Sequence, residues 1–171
     1  MPIIKSLANG NPKIPNNCFI AENATIVGDV VLGEYCSVWF NAVIRGDVHD
    51  IKIGNKVILR DGAVIHATYK NSPTKMGNNV SIGHNAIVHG CTIHDNVLVG
   101  MGSIIMDDCI VESNSIIAAG AVVTKNTHVE SGGVYAGTPA KKIKSITPEL
   151  VRDEIERIAK NYIKYASWYI D

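Results

Sequence analysis

The stretch VSIGHNAIVHGCTIHDNVLVG, residues 80–100, sets the register of the whole chain. Its aliphatic residues Ile82, Val88, Ile93 and Val99 recur at nearly regular steps of six. A helix repeats near 3.6 and a strand at 2, so this period fits neither an amphipathic helix nor a simple hairpin. It fits short strands joined by tight turns in which Gly, Asn and Asp take the positive-φ positions. Working outward, the period runs back through Ile20, Ile26, Leu32, Val38 and Ile44, then Ile53, Leu59, Ile65 and Met76. It runs forward through Ile105, Ile110, Ile116 and Val122. Such a chain winds into a solenoid, each coil stacked on the last. A β-sandwich, with turns roughly every 8–12 residues, does not account for so long a run at six.

Two steps are long, from Ile44 to Ile53 and from Ile65 to Met76. Insertions in a solenoid emerge as loops on one side, often the functional side. The second, around 68–75, carries Tyr69 and Pro73. The period stops near residue 140. Thr147-Pro148-Glu149 then reads as a helix N-cap, a proline at the first helical position and an acid in the first turn. Leu150, Val151, Ile155, Ile158, Tyr162, Ile163, Tyr165 and Tyr169 follow as an apolar stripe. The predicted organisation is a solenoid over 1–145 and an α-helix over 146–171, packed on the solenoid or on a neighbouring subunit.

The repeat resembles that of the hexapeptide-repeat proteins. That resemblance implies an all-β solenoid, a left-handed parallel β-helix with three faces per coil. The left hand comes from the resemblance, since parallel crossovers are otherwise right-handed.

Composition narrows the function. The chain has 171 residues and 46% hydrophobic content, enough for a sizeable core. Its formal net charge is zero, which gives no electrostatic case for nucleic acid or an anionic membrane surface. No apolar run approaches the roughly 20 residues of a membrane span. The N-terminal MPIIKSLANG is too short and polar for a signal peptide. Cys18, Cys36, Cys91 and Cys109 are widely spaced without a CxxC pair, as in a reduced, cytoplasmic protein with buried thiols.

The register then places the polar residues. His66 follows Ile65 and His89 follows Val88, three faces later, so the two should stack about one strand spacing apart, roughly 4.8 Å. Arg45, after Ile44, joins the same column. Asp61 and His84 form a second column, each two residues past its aliphatic position. Two stacked imidazoles can share a metal, and His84 is positioned to reach a neighbour's pair in a three-fold assembly. If subunits bring the columns together, Arg45 meets Asp61 as an ion pair beside the ligands. His49, His94 and His128 read as surface histidines.

FNAVIRGDVHDIKIG (40–54), LRDGAVIH (59–66), IGHNAIVHGC (82–91) and VGMGSIIMD (99–107) resemble the γ-class carbonic anhydrase family, in its shorter bacterial-type branch. The tail YAGTPAKKI (135–143) also matches, although hexapeptide acyltransferases share it. The resemblance implies a homotrimer with metal shared between subunits, bound by His66 and His89 of one and His84 of the next. It implies Arg45 and Asp61 as the interfacial pair, Asp47 as the aspartate of the RGD segment, and CO2/bicarbonate as substrate. The expected metal is Zn²⁺ or, equally compatible with a His-rich site, Fe²⁺ or Co²⁺, since such sites accept several first-row ions. The reaction implied is reversible CO2 hydration by hydroxide formed at the metal.

The departures bear on activity. Arg60 stands where the family often has Gln, and an Arg there can pair with an anion or a neighbouring acid. Val48 and Ala67-Thr68-Tyr69 stand where archetypal members carry acids, so the glutamate proton shuttle is missing. Tyr69 can order solvent, but a phenol is a poor shuttle at neutral pH, since phenols as a class ionise only near pH ~10. Weak or buffer-dependent hydration is the expectation. A metal-dependent thioesterase or acyl hydrolase, a hexapeptide acyltransferase and a non-catalytic trimeric scaffold are the alternatives.

Overall fold

The computed structural model describes residues 1–169. The predicted C-terminal unit runs to 171, and residues 170–171 lie outside the described residues.

The chain coils as a parallel β-solenoid of about seven turns with one C-terminal helix, consistent with a left-handed β-helix of hexapeptide repeats. Three ladders make its faces. One aligns Ile44, Ile65, Val88, Ile105 and Val123. The second aligns Ile20, Val38, Leu59, Ile82, Val99, Ile117 and Tyr135. The third aligns Leu32, Ile53, Met76, Ile93, Val111 and Val129. These side chains stack inward to form a single core.

The register differs from the predicted one after Ile105. Val111, Ile117 and Val123 are fully buried, whereas Ile110 is 41% exposed. The doublets Ile110-Val111, Ile116-Ile117 and Val122-Val123 offer an aliphatic residue at either position. Choosing the first member slips the register by one, which turns side chains to the other side of the strand. The step of six in fact continues unbroken from Val99 to Val129.

The turns also divide their work. Positive φ falls three residues after the inward aliphatic position: at Asn41, Gly62, Asn79, Asn85, Asn96, Gly102, Asp108, Asn114, Gly120 and Asn126, and at the less usual Tyr35 and Lys56. The glycines one residue after that position serve a different need. A Cβ on Gly83 would lie 2.5 Å from the Met101 backbone nitrogen, and one on Gly100 would lie 2.4 Å from that of Ala119. Only glycine lets successive coils approach so closely at these corners.

The long step from Ile44 to Ile53 is absorbed in one continuous strand, Val43–Ile53, which joins two faces round a corner. The longer step from Ile65 to Met76 bulges out as a loop closed by a Thr68–Ser72 bridge. At the far end, Lys141–Ser145 pairs antiparallel with Gly133–Ala136 and ends the parallel stacking.

Thr147 caps the C-terminal helix, its Oγ1 accepting from the Leu150 N–H at 3.3 Å, with Pro148 in the first turn. The helix opens with a turn over Pro148–Leu150, widens to π geometry over Val151–Glu156 and continues as α-helix over Arg157–Ala166. Ile155, Ile158 and Ala166 are buried and join the solenoid's own core, while Ile163 is 55% exposed. Among the described residues no helix is long and apolar enough to cross a membrane.

Candidate metal centre

His66 and His89 each sit one residue past a buried aliphatic, so each emerges on the outer surface of its strand. Val64–His66 and Ile87–His89 pair in parallel with His89 directly opposite His66. The ring nitrogens His66 Nδ1 and His89 Nε2 face each other at 3.1 Å.

Two aspartates hold the outer edges of the rings. His66 Nε2 lies 3.0 Å from Asp47 Oδ1, and His89 Nδ1 lies 2.6 Å from Asp107 Oδ1. A carboxylate accepts, so in each contact the ring nitrogen carries the hydrogen and donates. With both rings neutral, the inner nitrogens carry lone pairs that face one another, two donors that one cation can take together. Two nitrogens bound tetrahedrally at about 2.0–2.1 Å would stand roughly 3.3 Å apart, close to the observed gap. Carboxylate support of metal-bound imidazole is a recurrent feature of such sites. The residues present therefore fit a metal.

Arg45 completes this corner. It forms an ion pair with Asp47, and its Nη2 stands 3.4 Å from His66 Nδ1. Burial works against ionised Asp47, but hydrogen bonds from Arg45 and His66 hold its carboxyl below the ordinary range. Burial lowers the pKa of His66, and Arg45 adds to that effect against the hydrogen bond to Asp47. His66 is thus held in the neutral form that binds metals.

His84 occupies the second column. Its Nδ1 lies 2.9 Å from Asp61 Oδ2, leaving Nε2 uncommitted. Within one chain it is not grouped with His66 and His89, and Arg45 pairs with Asp47 rather than Asp61. Among the described residues no group of three or more His, Cys, Asp or Glu side chains is arranged to hold an ion in a single chain.

Two sequence candidates lie elsewhere. Arg60 is 9% exposed, buried against the C-terminal helix with its guanidinium carbon 4.9 Å from the centre of the Tyr162 ring. Its Nε and Nη2 are enclosed without hydrogen-bond partners, and burial lowers its pKa. Within one chain the guanidinium meets the Tyr162 ring, and neither the anion nor the acid partner read from the sequence is among its contacts in the described residues. Tyr69 is 63% exposed at the loop tip, with the Lys70 ammonium 5.0 Å from its ring centre. His94 and His128 share Glu112 on another face, and His49 contacts Asp50.

Asp107 escaped the sequence reading. It lies 18 residues past His89, one coil on, but two residues after its aliphatic position instead of one. Its second oxygen accepts from Thr68 Oγ1 at 3.1 Å, so it also fastens the 68–72 loop. Ser72 Oγ donates to Asp108 Oδ1 at 2.6 Å beside it.

Comparison with known proteins shows the family. The family model described as bacterial transferase hexapeptide (six repeats) matches residues 11–46, 73–103 and 90–125. A carbonic anhydrase from Geobacillus kaustophilus is 46% identical over 158 residues, covering 92% of this chain and 86% of that one. This chain belongs to the γ-class carbonic anhydrase family of hexapeptide-repeat proteins. Gamma carbonic anhydrase 2, mitochondrial, of Arabidopsis thaliana is 38% identical over 91% of this chain and 58% of its own length. A hexapeptide transferase family protein from Anaplasma phagocytophilum superposes on this γ-class family member with a TM-score of 0.91 and 37% identity, over 98% of each chain. The coil is common to both names.

Proposed function

We propose that this protein hydrates CO2 reversibly at a metal ion shared between subunits of a homotrimer. His66 and His89 of one subunit and His84 of the next hold the ion, with Zn²⁺ the leading candidate and Fe²⁺ or Co²⁺ the alternatives. The observation carrying this reading is the pair of carboxylate-fixed imidazoles, whose inner nitrogens face each other at 3.1 Å. The metal supplies the Lewis acidity that makes water a competent nucleophile near neutral pH.

The chain's own residues do the rest. Asp47 and Asp107 keep His66 and His89 in one tautomer and orientation. Asp61 does the same for His84, whose free Nε2 is the donor offered to the neighbour. Arg45, freed from its contact with His66, meets the neighbour's Asp61 and fixes the angle between subunits. Bicarbonate leaves past a rim in which Val48 and the stretch Ala67-Thr68-Tyr69 stand where archetypal members carry acids. The proton therefore leaves through solvent and buffer. Hydration is slow, and its rate rises with buffer concentration.

Elemental analysis of protein purified without chelator or oxygen tests the site. About one metal per subunit is expected, followed by a buffer-dependent rate in a stopped-flow CO2 assay. Protein that takes up neither Zn²⁺ nor Fe²⁺ on reconstitution would exclude this function.

A further inference from the structure

The four cysteines look scattered in sequence, but the coil gathers them into two stacked pairs. Cys18 and Cys36 each lie two residues before an aligned aliphatic position, Ile20 and Val38, in adjacent coils. Phe19 pairs with Ser37, and the Phe19 N–H donates to the Cys36 carbonyl at 2.9 Å. Their Cα atoms are therefore about one strand spacing apart, ~4.8 Å, inside the range a disulfide spans. Cys91 and Cys109 repeat the arrangement further along, where the Thr92 N–H donates to the Cys109 carbonyl at 2.9 Å. All four are free thiols.

The pairs differ in access. Cys91 and Cys109 are 2% and 1% exposed, sealed inside the solenoid. Cys18 is partly open to solvent. Cys36, itself buried, lines a cavity of about 650 Å³ between the C-terminal helix and the solenoid, bordered also by Phe19, Tyr35, Tyr162 and Ile163. The Cys18 thiol donates to the Gly33 carbonyl at 3.2 Å and the Cys36 thiol to the Gly54 carbonyl at 3.1 Å, so the two side chains follow the same stacked path. The neighbouring Cys36 thiol, against the opposing effect of burial, draws Cys18 down to about 7. The same proximity, reinforced by burial, pushes Cys36 upward. Cys18 is thus the more accessible and more readily ionised sulfur of the pair, and buried Cys36 the one that keeps its proton longer.

We propose that Cys18 and Cys36 form a reversible, peroxide-oxidisable dithiol in which Cys18 attacks and Cys36 resolves. The Cys18 thiolate attacks one oxygen of hydrogen peroxide and the O–O bond breaks. The departing hydroxide takes a proton and leaves as water, and Cys18 becomes a sulfenic acid. The Cys36 sulfur then displaces the hydroxyl from Cys18, giving its own proton to the leaving group. An S–S bond forms and a second water departs. Two thiols have lost two electrons and two protons, and peroxide has become two waters. Directly stacked Cβ atoms start about one strand spacing apart, wider than the roughly 3.5–4.5 Å of a relaxed bridge, so the bond is readily opened again by a dithiol. When formed, it clamps the first two coils beneath the C-terminal helix.

The test is brief peroxide treatment of the reduced full-length protein, then denaturing alkylation and peptide mapping. The four free thiols should fall to two, with a Cys18–Cys36 linked peptide and with Cys91 and Cys109 still alkylated. Dithiothreitol should restore all four. Cys36→Ser should stop at a dimedone-reactive Cys18, and Cys18→Ser should abolish rapid thiol loss. The proposal is overturned if Cys18 reacts no faster than Cys91 and Cys109. It is overturned equally if wild-type Cys18 accumulates as sulfinic acid without the bridge, or if Cys18→Ser loses thiols as fast as wild type.

Discussion

In the proposed metal site Asp107 directs His89, because its 2.6 Å contact fixes which ring nitrogen keeps the lone pair. Asp107→Asn preserves size but can offer an amide N–H where a carboxylate oxygen now accepts. Metal affinity and hydration should both drop about 10–100-fold. Zinc titration calorimetry reads the first, and an unchanged unfolding midpoint shows that the coil is intact. Affinity within error of wild type would remove Asp107 from the site. Arg60 leads to the opposite expectation. Its side chain belongs to the contact with Tyr162, so Arg60→Gln should leave kcat/KM nearly unchanged. A loss on the order of 10²-fold, the size expected from misplacing a group at the reacting centre, would return Arg60 to the active site. Both residues show where sequence reading stops. His66, His84 and His89 were visible because they sit in strict columns, whereas Asp107 is displaced by one residue from the column it serves. The direction taken by Arg60 depends on Tyr162, a hundred residues later, and no local pattern records that.

At the scale of the elements, the period of six was legible because each coil must send one aliphatic inward per face. The cap Thr147-Pro148-Glu149 was legible because it satisfies free N–H groups locally. Less legible was which residue of an aliphatic doublet faces in, since Ile110 and Val111 are chemically interchangeable and only the stacking of neighbouring coils chooses. The glycines carry a similar ambiguity. Residues such as Gly100 read as turn formers, yet the positive φ belongs to Gly102, two residues later, and Gly100 exists to let coils touch. The two roles separate experimentally. Gly100→Ala puts a methyl 2.4 Å from the Ala119 nitrogen, a backbone atom that cannot rotate away. It should destabilise the protein by about 1–3 kcal/mol, measured by denaturant unfolding. Gly102 has nothing within 4 Å of an added Cβ. Gly102→Asn, matching the residue used at Asn85 and Asn96, should cost much less. Equal losses at both positions would mean that turn conformation, not coil contact, governs these corners.

The whole molecule poses the question that one chain cannot answer internally, since His84 and the His66–His89 pair lie in different columns. A shared site makes a prediction that a site confined to one subunit does not. His84→Ala leaves a subunit with an intact pair, and His89→Ala leaves one with an intact His84. Each homo-oligomer should be inactive and bind metal poorly. When the two are unfolded together and refolded as a mixture, subunits associate by chance around a cyclic assembly. At an interface, the pair must come from the first variant and His84 from the second. With equal amounts, about a quarter of the interfaces meet both conditions. Metal content and hydration rate should therefore recover to about a quarter of wild type, while each variant refolded alone stays inactive. Recovery should track the product of the two fractions as the mixing ratio is varied. If no mixture exceeds its parents although mixed oligomers form by mass spectrometry, then His84 does not act across the interface.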